Sequence, residues 1–455
     1  MNNNKFTKFK IQNDKSLIQS LRQLKKYHLD TLLVTNKIQQ IIGVLSLSDI
    51  RNSIIRGIKL NEKISNIINK NFIYVDFPFN NEKKVNLISN KLYQKRNPNI
   101  VPLLDQQKKL KDVLISSDMI LLGNRLSNYK NTITKKNVLI IGGAGYIGSE
   151  LTESLIKEKF NITIYDNFLY GSKSLDKFKK NKRINIIKGD TRDIHKLYIA
   201  IKESNIVIHL GEYVGDPLCT KYPDHTYSVN FLATKNICNL CKDLGINNFL
   251  YVSSCSVYGY NQKKILSEND TLNPMSTYAK LKIDCERAVL ESSTKDFKPC
   301  ILRLGTVFGS SNRQRFDLSI NFMAINAIKK NKVHVNGGNQ WRPFVHVKDV
   351  ANTIKKIINL NFNRCRGEIF NLSTFNSRII DVALIIKKIL PKVKLKIIKK
   401  KIDNRNYKVT SYKISKLRIF KPKFNLKNGI LEILSEIKKI KKINIHSKRF
   451  NNYLL

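Results

Sequence analysis

The chain reads as an α/β protein: a doubly wound parallel sheet with a smaller C-terminal part, preceded by a separate α+β module. Three observations predict this. Val138 to Ile141 is an unbroken apolar, β-branched run that ends in glycines at three-residue spacing, Gly142, Gly145 and Gly148, and a helical pattern follows. From residue 137 onward, strand-like and helix-like stretches alternate, as a parallel sheet with crossover helices requires. Between Lys15 and Asp118, a helix–strand–strand–helix pattern occurs twice.

In the first copy, Ser16 to Tyr27 is an amphipathic helix, Thr31 to Thr35 and Gln40 to Leu47 are short strands, and Ser48 to Arg56 begins a second helix. The second copy has a helical stretch near 83–95, then NIVPLL (99–104), KLKDVLIS (109–116) and Asp118. Gly43 to Ile50 (GVLSLSDI) resembles the signature of CBS domains, and the module, residues 1–125, is similar to a CBS domain pair. That resemblance implies an adenine nucleotide whose ribose is held by Ser46 and Asp49. In the second copy Asp112 and Ile115 replace the usual Gly and Ser/Thr while Asp118 is kept, which implies that one nucleotide site is missing. Residues 126–136 are polar and aperiodic and read as a linker.

Strands are expected at 138–142, 161–166, 184–189, 205–210, 248–253 and 299–304, with helices between them, notably 225–244 and 276–294. A strand that stops at such glycines and starts a helix builds an anion site. Gly142 permits the tight turn, Gly145 lets the backbone approach a pyrophosphate, and Gly148 allows close helix–strand packing. Asp166, about 20 residues further on at the end of the next strand, stands where a carboxylate takes ribose hydroxyls and disfavours a 2′-phosphate. The reading is a Rossmann dinucleotide site for NAD, with Tyr146, Ile147 and Asn167 beside the glycines and Asp166. Asp190, ending the third strand, is placed to accept from the adenine amino group. Leu210 and Gly211 end the fourth strand, where a small residue lets the cofactor lie against the backbone. Asn230, early in a helix, either contacts the cofactor or ties two elements together.

The sharpest constellation follows. Asn248 to Ser254 is a strand ending in hydroxyls, continued by Cys255-Ser256-Val257-Tyr258-Gly259; Tyr278 and Lys282 then fall at i and i+4, on one helix face. A free phenol is a poor base at neutral pH. A neighbouring ammonium and a positive nicotinamide ring favour phenolate and make Tyr278 a usable acid/base, with Ser254 on the same substrate oxygen.

With these residues in place, 137–455 resembles an extended short-chain dehydrogenase/reductase of the NAD-dependent nucleotide-sugar epimerase/dehydratase family, UDP-glucose 4-epimerase-like. The motifs are GxxGxxG at 142–148, SSxxVYG at 253–259 and YxxxK at 278–282, with RFDLSINF (315–322) and WRPFVHVKDV (341–350) in the substrate half, mainly 306–346 and 374–455. The resemblance implies that Lys282 holds the nicotinamide ribose and that Arg342 grips a nucleotide diphosphate lined by Asp317 and Leu318. Arg405 is a second phosphate candidate and Ser256 a substrate contact; Trp341 reads as packing. Dehydratases of the family carry Asp-Glu after the catalytic hydroxyl, and decarboxylases commonly keep a Glu at the second of those positions. Here the pair is Cys255-Ser256, which leaves epimerisation at C4, or a net redox reaction on a sugar. Glu212, Tyr213 and Asp216, in HLGEYVGDP, lie near the substrate with no assigned role. A homodimer is expected from the family.

Composition excludes some alternatives. The 455 residues suit two or three domains. No run of 18 apolar residues suggests a membrane span, and MNNNKFTKFK lacks the apolar core of a signal peptide. Seven cysteines, odd in number and set in apolar or helical patterns, read as core thiols in a reducing cytoplasm; Cys238 and Cys241 have no partner pair for a metal. The net charge of +48 comes mostly from Lys spread along the chain with abundant Asn and Ile, a signature of AT-rich coding and not of a nucleic-acid site. Two other classes follow from the same features: an adenine-nucleotide sensor with weak catalysis, and a polyanion binder.

Overall fold

A computed structural model describes residues 6–27, 29–76, 100–115, 136–158, 160–261, 265–398, 403–439, 444 and 447–453. The chain divides into two compact units, 1–132 and 133–455.

The first unit holds two three-stranded sheets of the same design. Lys10–Gln12, Thr31–Thr35 and Ile41–Ser46 form one; Val75–Asp76, Ile100–Leu104 and Leu110–Ile115 form the other. In each, the first pair is parallel and the second antiparallel, with an irregularity in register near the hairpin end. Gln39 and Lys108, at matching hairpin positions, both have positive φ (65° and 58°). Ile41 N–H donates to Lys108 O at 2.9 Å, and Leu33, Ile41 and Val44 of one copy pack with Ile100, Leu104 and Val113 of the other. The repeat expected from the sequence is therefore present in the strands. The expected helix at 83–95, Asp118 and most of the linker lie outside the described residues. Ser46 caps the helix Leu47–Ile55 in a reciprocal box with Asp49: its hydroxyl donates to Asp49 at 2.6 Å and accepts from the Asp49 N–H at 3.1 Å.

The second unit is built on seven parallel strands: β1 (Asn137–Ile141), β2 (Asn161–Asp166), β3 (Ile184–Lys188), β4 (Ile206–His209), β5 (Asn248–Ser254), β6 (Cys300–Leu304) and β7 (Ile369–Leu372). Their spatial order is 3-2-1-4-5-6-7. The first six match the expected strands; β7, only four residues of IFNL, has no sequence signal of its own. The strand order reverses between the parallel neighbours β1 and β4, where Val138 pairs with Ile206, and ligands bind at such a switch point. The strands are apolar because helices cover both faces: Val138 and Ile140 reach one core with Leu151, Ile164, Leu250 and Ile354. The helix expected at 225–244 begins at Pro223 and passes through a π-helical turn, Tyr227–Leu232, before Ala233–Asp243.

The smaller part has its own core of Phe308, Ile320, Val333, Phe344, Val382 and Ile430. It comprises the sheet of Thr306–Phe308, Trp341–His346 and Phe375–Arg378, the pair Lys332–Asn336 with Lys394–Ile398, and helices including Ser319–Lys330 and Leu426–Lys439. No helix among the described residues is long and apolar enough to cross a membrane, and all seven cysteines are buried free thiols.

Candidate active site

One cavity of about 910 Å³ opens between the carboxyl ends of the strands and the smaller part. At its floor β1 runs into the glycine turn. Gly142 has φ +82°, and a Cβ there would lie 2.7 Å from the Gly211 backbone; a Cβ on Gly148 would strike Gly142 O and come 2.6 Å from Gly143 Cα. Gly145 opens the helix Tyr146–Ile156, whose first N–H groups lack intrahelical partners and suit a phosphate. Asp166 accepts from Ala144 N–H (3.0 Å) and Phe168 N–H (2.8 Å), which leaves lone pairs for ribose hydroxyls. Burial raises its carboxyl, and those two bonds oppose the rise. Tyr146, Ile147, Asn167, Leu210 and Gly211 line the same cavity. Arg313, buried and stacked 4.3 Å from the Tyr170 ring centroid, faces the cavity with its Nε and one terminal nitrogen unpartnered. A cradle that side chains would fill and an unsatisfied buried cation together fit a dinucleotide.

Two expected cofactor residues are placed otherwise. The Asp190 carboxylate is taken by Arg192 (2.9 and 2.7 Å), which holds it below the usual range, and Gly189 and Thr191 line the cavity in its stead. The Asn230 amide spans both backbone groups of Tyr213 at 2.8 Å each, so it ties the π-helical turn to the loop after β4. Of its two readings, the structural one describes its contacts.

Above the floor, Ser276 caps the helix Thr277–Glu291 and sets Tyr278 and Lys282 on the cavity wall. Ser254, at the end of β5, accepts from the Ser256 N–H at 3.1 Å, and the buried Ser256 hydroxyl has no partner. Cys255 points elsewhere: its thiol donates to Arg303 O at 3.2 Å. Burial pushes the Tyr278 phenol up to about 12, against the pull of Lys282 and with a further push from Glu212. Within the chain alone, before the positive nicotinamide ring that the expectation also invokes is added, desolvation outweighs the ammonium, whose Nζ stands 5.9 Å from the ring centroid. Lys282 is itself ion-paired with Glu212.

On the opposite wall, Arg342 pairs with Asp403 at 2.8 Å, and Arg405 pairs with Asp403 (2.7 Å) and Asp216 (2.8 Å). Burial raises Asp403, but Arg405 and Arg342 outweigh it and hold the carboxyl well below its usual range. Asp317 is bound by Arg315 (2.5 and 3.0 Å) and offers its charge inward, while Leu318 lines the cavity. Residues 450–453 fold back onto this wall: Phe316 N–H donates to Phe450 O, and Asn452 and Tyr453 line the cavity. Sequence reasoning missed Arg313, Arg315, Asp403 and this returning segment. Arg315 lies inside the RFDLSINF motif and Asp403 two residues before Arg405, but nothing local marks their partners.

Residues 138–373, more than half of the chain, match the NAD dependent epimerase/dehydratase family. The chain belongs to that family, and NAD is its cofactor. Over 49% of its length it is 29% identical to the Uncharacterized UDP-glucose epimerase YtcB of Bacillus subtilis, covering 72% of that protein. It is 26% identical to UDP-glucuronic acid decarboxylase 1 of Danio rerio over 50% of this chain and 55% of that one. The solved UDP-glucuronic acid 4-epimerase from Bacillus cereus, in complex with UDP-glucuronic acid and NAD, superposes with TM-score 0.61 at 23% identity over 67% of this chain and 99% of that one. At that identity the likeness shows the fold.

Proposed function

We propose that this chain is an NAD-dependent nucleotide-sugar epimerase acting at C4 of the sugar, in the supply of sugars for surface polysaccharides. The observation that carries the reading is one cavity that joins the glycine cradle, the Tyr278–Lys282 face and the Arg342/Arg405 wall, with an inert Cys255 where elimination needs an acid. The Cys255 thiol is turned away from the cavity onto Arg303 O, which leaves it out of reach of the sugar. Bound NAD supplies reversible hydride acceptance. Tyr278 takes the C4 hydroxyl proton and later returns it, Ser254 orients that oxygen, and the free Ser256 hydroxyl meets the sugar. Arg342 and Arg405 exchange carboxylate partners for the diphosphate, so the remote nucleotide supplies binding energy while the keto sugar is free to turn.

Incubation with a panel of UDP-, GDP- and dTDP-sugars, followed by product NMR, tests this. Expected is a 4-epimer formed without added cofactor and without net NADH. Stoichiometric NADH would instead establish a dehydrogenase or reductase, the second reading that Cys255-Ser256 leaves open. Tyr278→Phe should stop turnover while NAD stays bound; undiminished turnover would remove Tyr278 from the chemistry. The duplicated parallel–antiparallel sheets of residues 10–115 support a CBS-type pair that tunes this activity. Calorimetry of AMP or ATP against the full chain tests that role, and absence of heat would leave a scaffold.

A further inference from the structure

Lys282 has three N–H donors, and the protein uses all of them. They go to Val252 O (2.7 Å), to the Tyr251 hydroxyl (3.1 Å) and to the Glu212 carboxylate. The Tyr251 hydroxyl in turn donates to Glu212 at 2.7 Å, which closes a triangle of lysine, glutamate and tyrosine. The side chains of Glu212 and Lys282 are 3% and 4% exposed, and both line the cavity beside Tyr278. An ammonium in contact with a carboxylate acts on its surroundings as a dipole and not as a full charge, and its pull on a phenol falls accordingly.

We propose that Glu212 is a positioning residue for the reaction: it clamps Lys282 to the end of β5 and thereby governs when Tyr278 gives up its proton. This rests on the reading of Tyr278 as the acid/base. The other groups facing the phenol contribute little net charge. On its own helix there is only Lys282. From the segment after β4 come Glu212 and Asp216, and Asp216 is neutralised by Arg405 at 2.8 Å. Cys219, on the short helix that follows, has its thiol pushed up to about 12 by burial and is neutral. Behind Lys282, burial and the lysine hold His209 down near 3, also neutral, and burial raises Tyr251 and Cys285 out of the physiological range. The Lys282–Glu212 balance is thus the adjustable element. Among them Glu212 pushes the phenol up where Lys282 pulls it down.

The test is a tyrosinate titration of the NAD-loaded full chain by ultraviolet difference absorbance, each variant read against its own Tyr278→Phe counterpart. Glu212→Gln should lower the Tyr278 midpoint by about one pH unit or more, a roughly tenfold gain in phenolate at a given pH. Glu212→Asp, which keeps the anion, should stay within about half a unit of wild type. A midpoint that does not fall in Glu212→Gln overturns the proposal. If that variant does not fold, Glu212→Met/Lys282→Met replaces a buried ion pair by apolar side chains of similar size. It should keep the wild-type midpoint within about half a unit; a rise of about one unit or more would mean that Lys282 acts alone. No sugar enters the titration, so a failed sugar panel leaves its result intact, and a failed titration leaves epimerisation standing.

Discussion

Replacing Glu286 by Gln should destabilise the second unit by about 3–5 kcal/mol, the usual cost of leaving a buried partner ion uncompensated. Glu286 sits on the helix that carries Tyr278 and Lys282, and its carboxylate receives Arg303 of β6 through bonds of 2.7, 3.0 and 3.1 Å. Both side chains are 4% exposed. The same carboxylate accepts from Ser253, next to Ser254, and the guanidinium also donates to the Tyr258 hydroxyl at 2.9 Å. With glutamine, the buried Arg303 keeps its charge but loses the anion. The pair Glu286→Leu/Arg303→Met removes both charges and should cost far less than the sum of the single changes, a coupling of a few kcal/mol. Trp341 is the chain's one tryptophan and lies in the second unit, so its fluorescence during urea unfolding reads this unit. The midpoint in Glu286→Gln should fall by roughly 1 M, and thermal unfolding by about 10 °C. A loss below about 1 kcal/mol, or a double variant as unstable as the single one, would refute the buried-pair argument.

Three further outcomes are expected. Gly148→Ala should weaken NAD binding by at least about tenfold in calorimetry, because its Cβ would drive the helix off the turn that cradles the pyrophosphate; unchanged affinity would separate the glycines from cofactor binding. Glu150, buried on that helix, has its carboxyl raised from 4.5 to about 7 by burial and then by Glu153. The folded state therefore holds this proton more tightly than the unfolded one, and stability falls as pH rises from 4.5 to 7. Glu150→Gln should thus stabilise by roughly 2 kcal/mol at pH about 8 and by nothing at pH about 4, in melting curves at both pH values. Tyr453 packs on Gly215, and its phenol lies among Arg315, Asp317, Asp216 and Arg405. Tyr453→Ala should raise KM for the nucleotide sugar several-fold with kcat nearly kept, and equal steady-state constants would exclude a role for the returning segment.

What could be read from the sequence is what short periods carry. Gly142, Gly145 and Gly148 after four apolar residues fix a strand, a turn and a helix start, because only backbone sterics decide them. Tyr278 and Lys282 share a helix face by geometry alone. Pairing across the chain leaves no such mark. Lys282 meets Glu212 across 69 intervening positions, and the fold brings them together by setting β4 beside β5. The ammonium beside the phenol was legible, whereas its counter-ion and the burial of both were not. Asp190 is the local counterpart, since an arginine two residues along pairs with its carboxylate. On the Arg342/Arg405 wall, the arginines were visible in the sequence, but their pairing with Asp403 and Asp216 was not. Here those carboxylates lie in the loop after β4 and in the segment at 403–405, and the first of these also carries Glu212. The segment after β4 therefore holds both an arginine of that wall, through Asp216, and the lysine beside Tyr278, through Glu212.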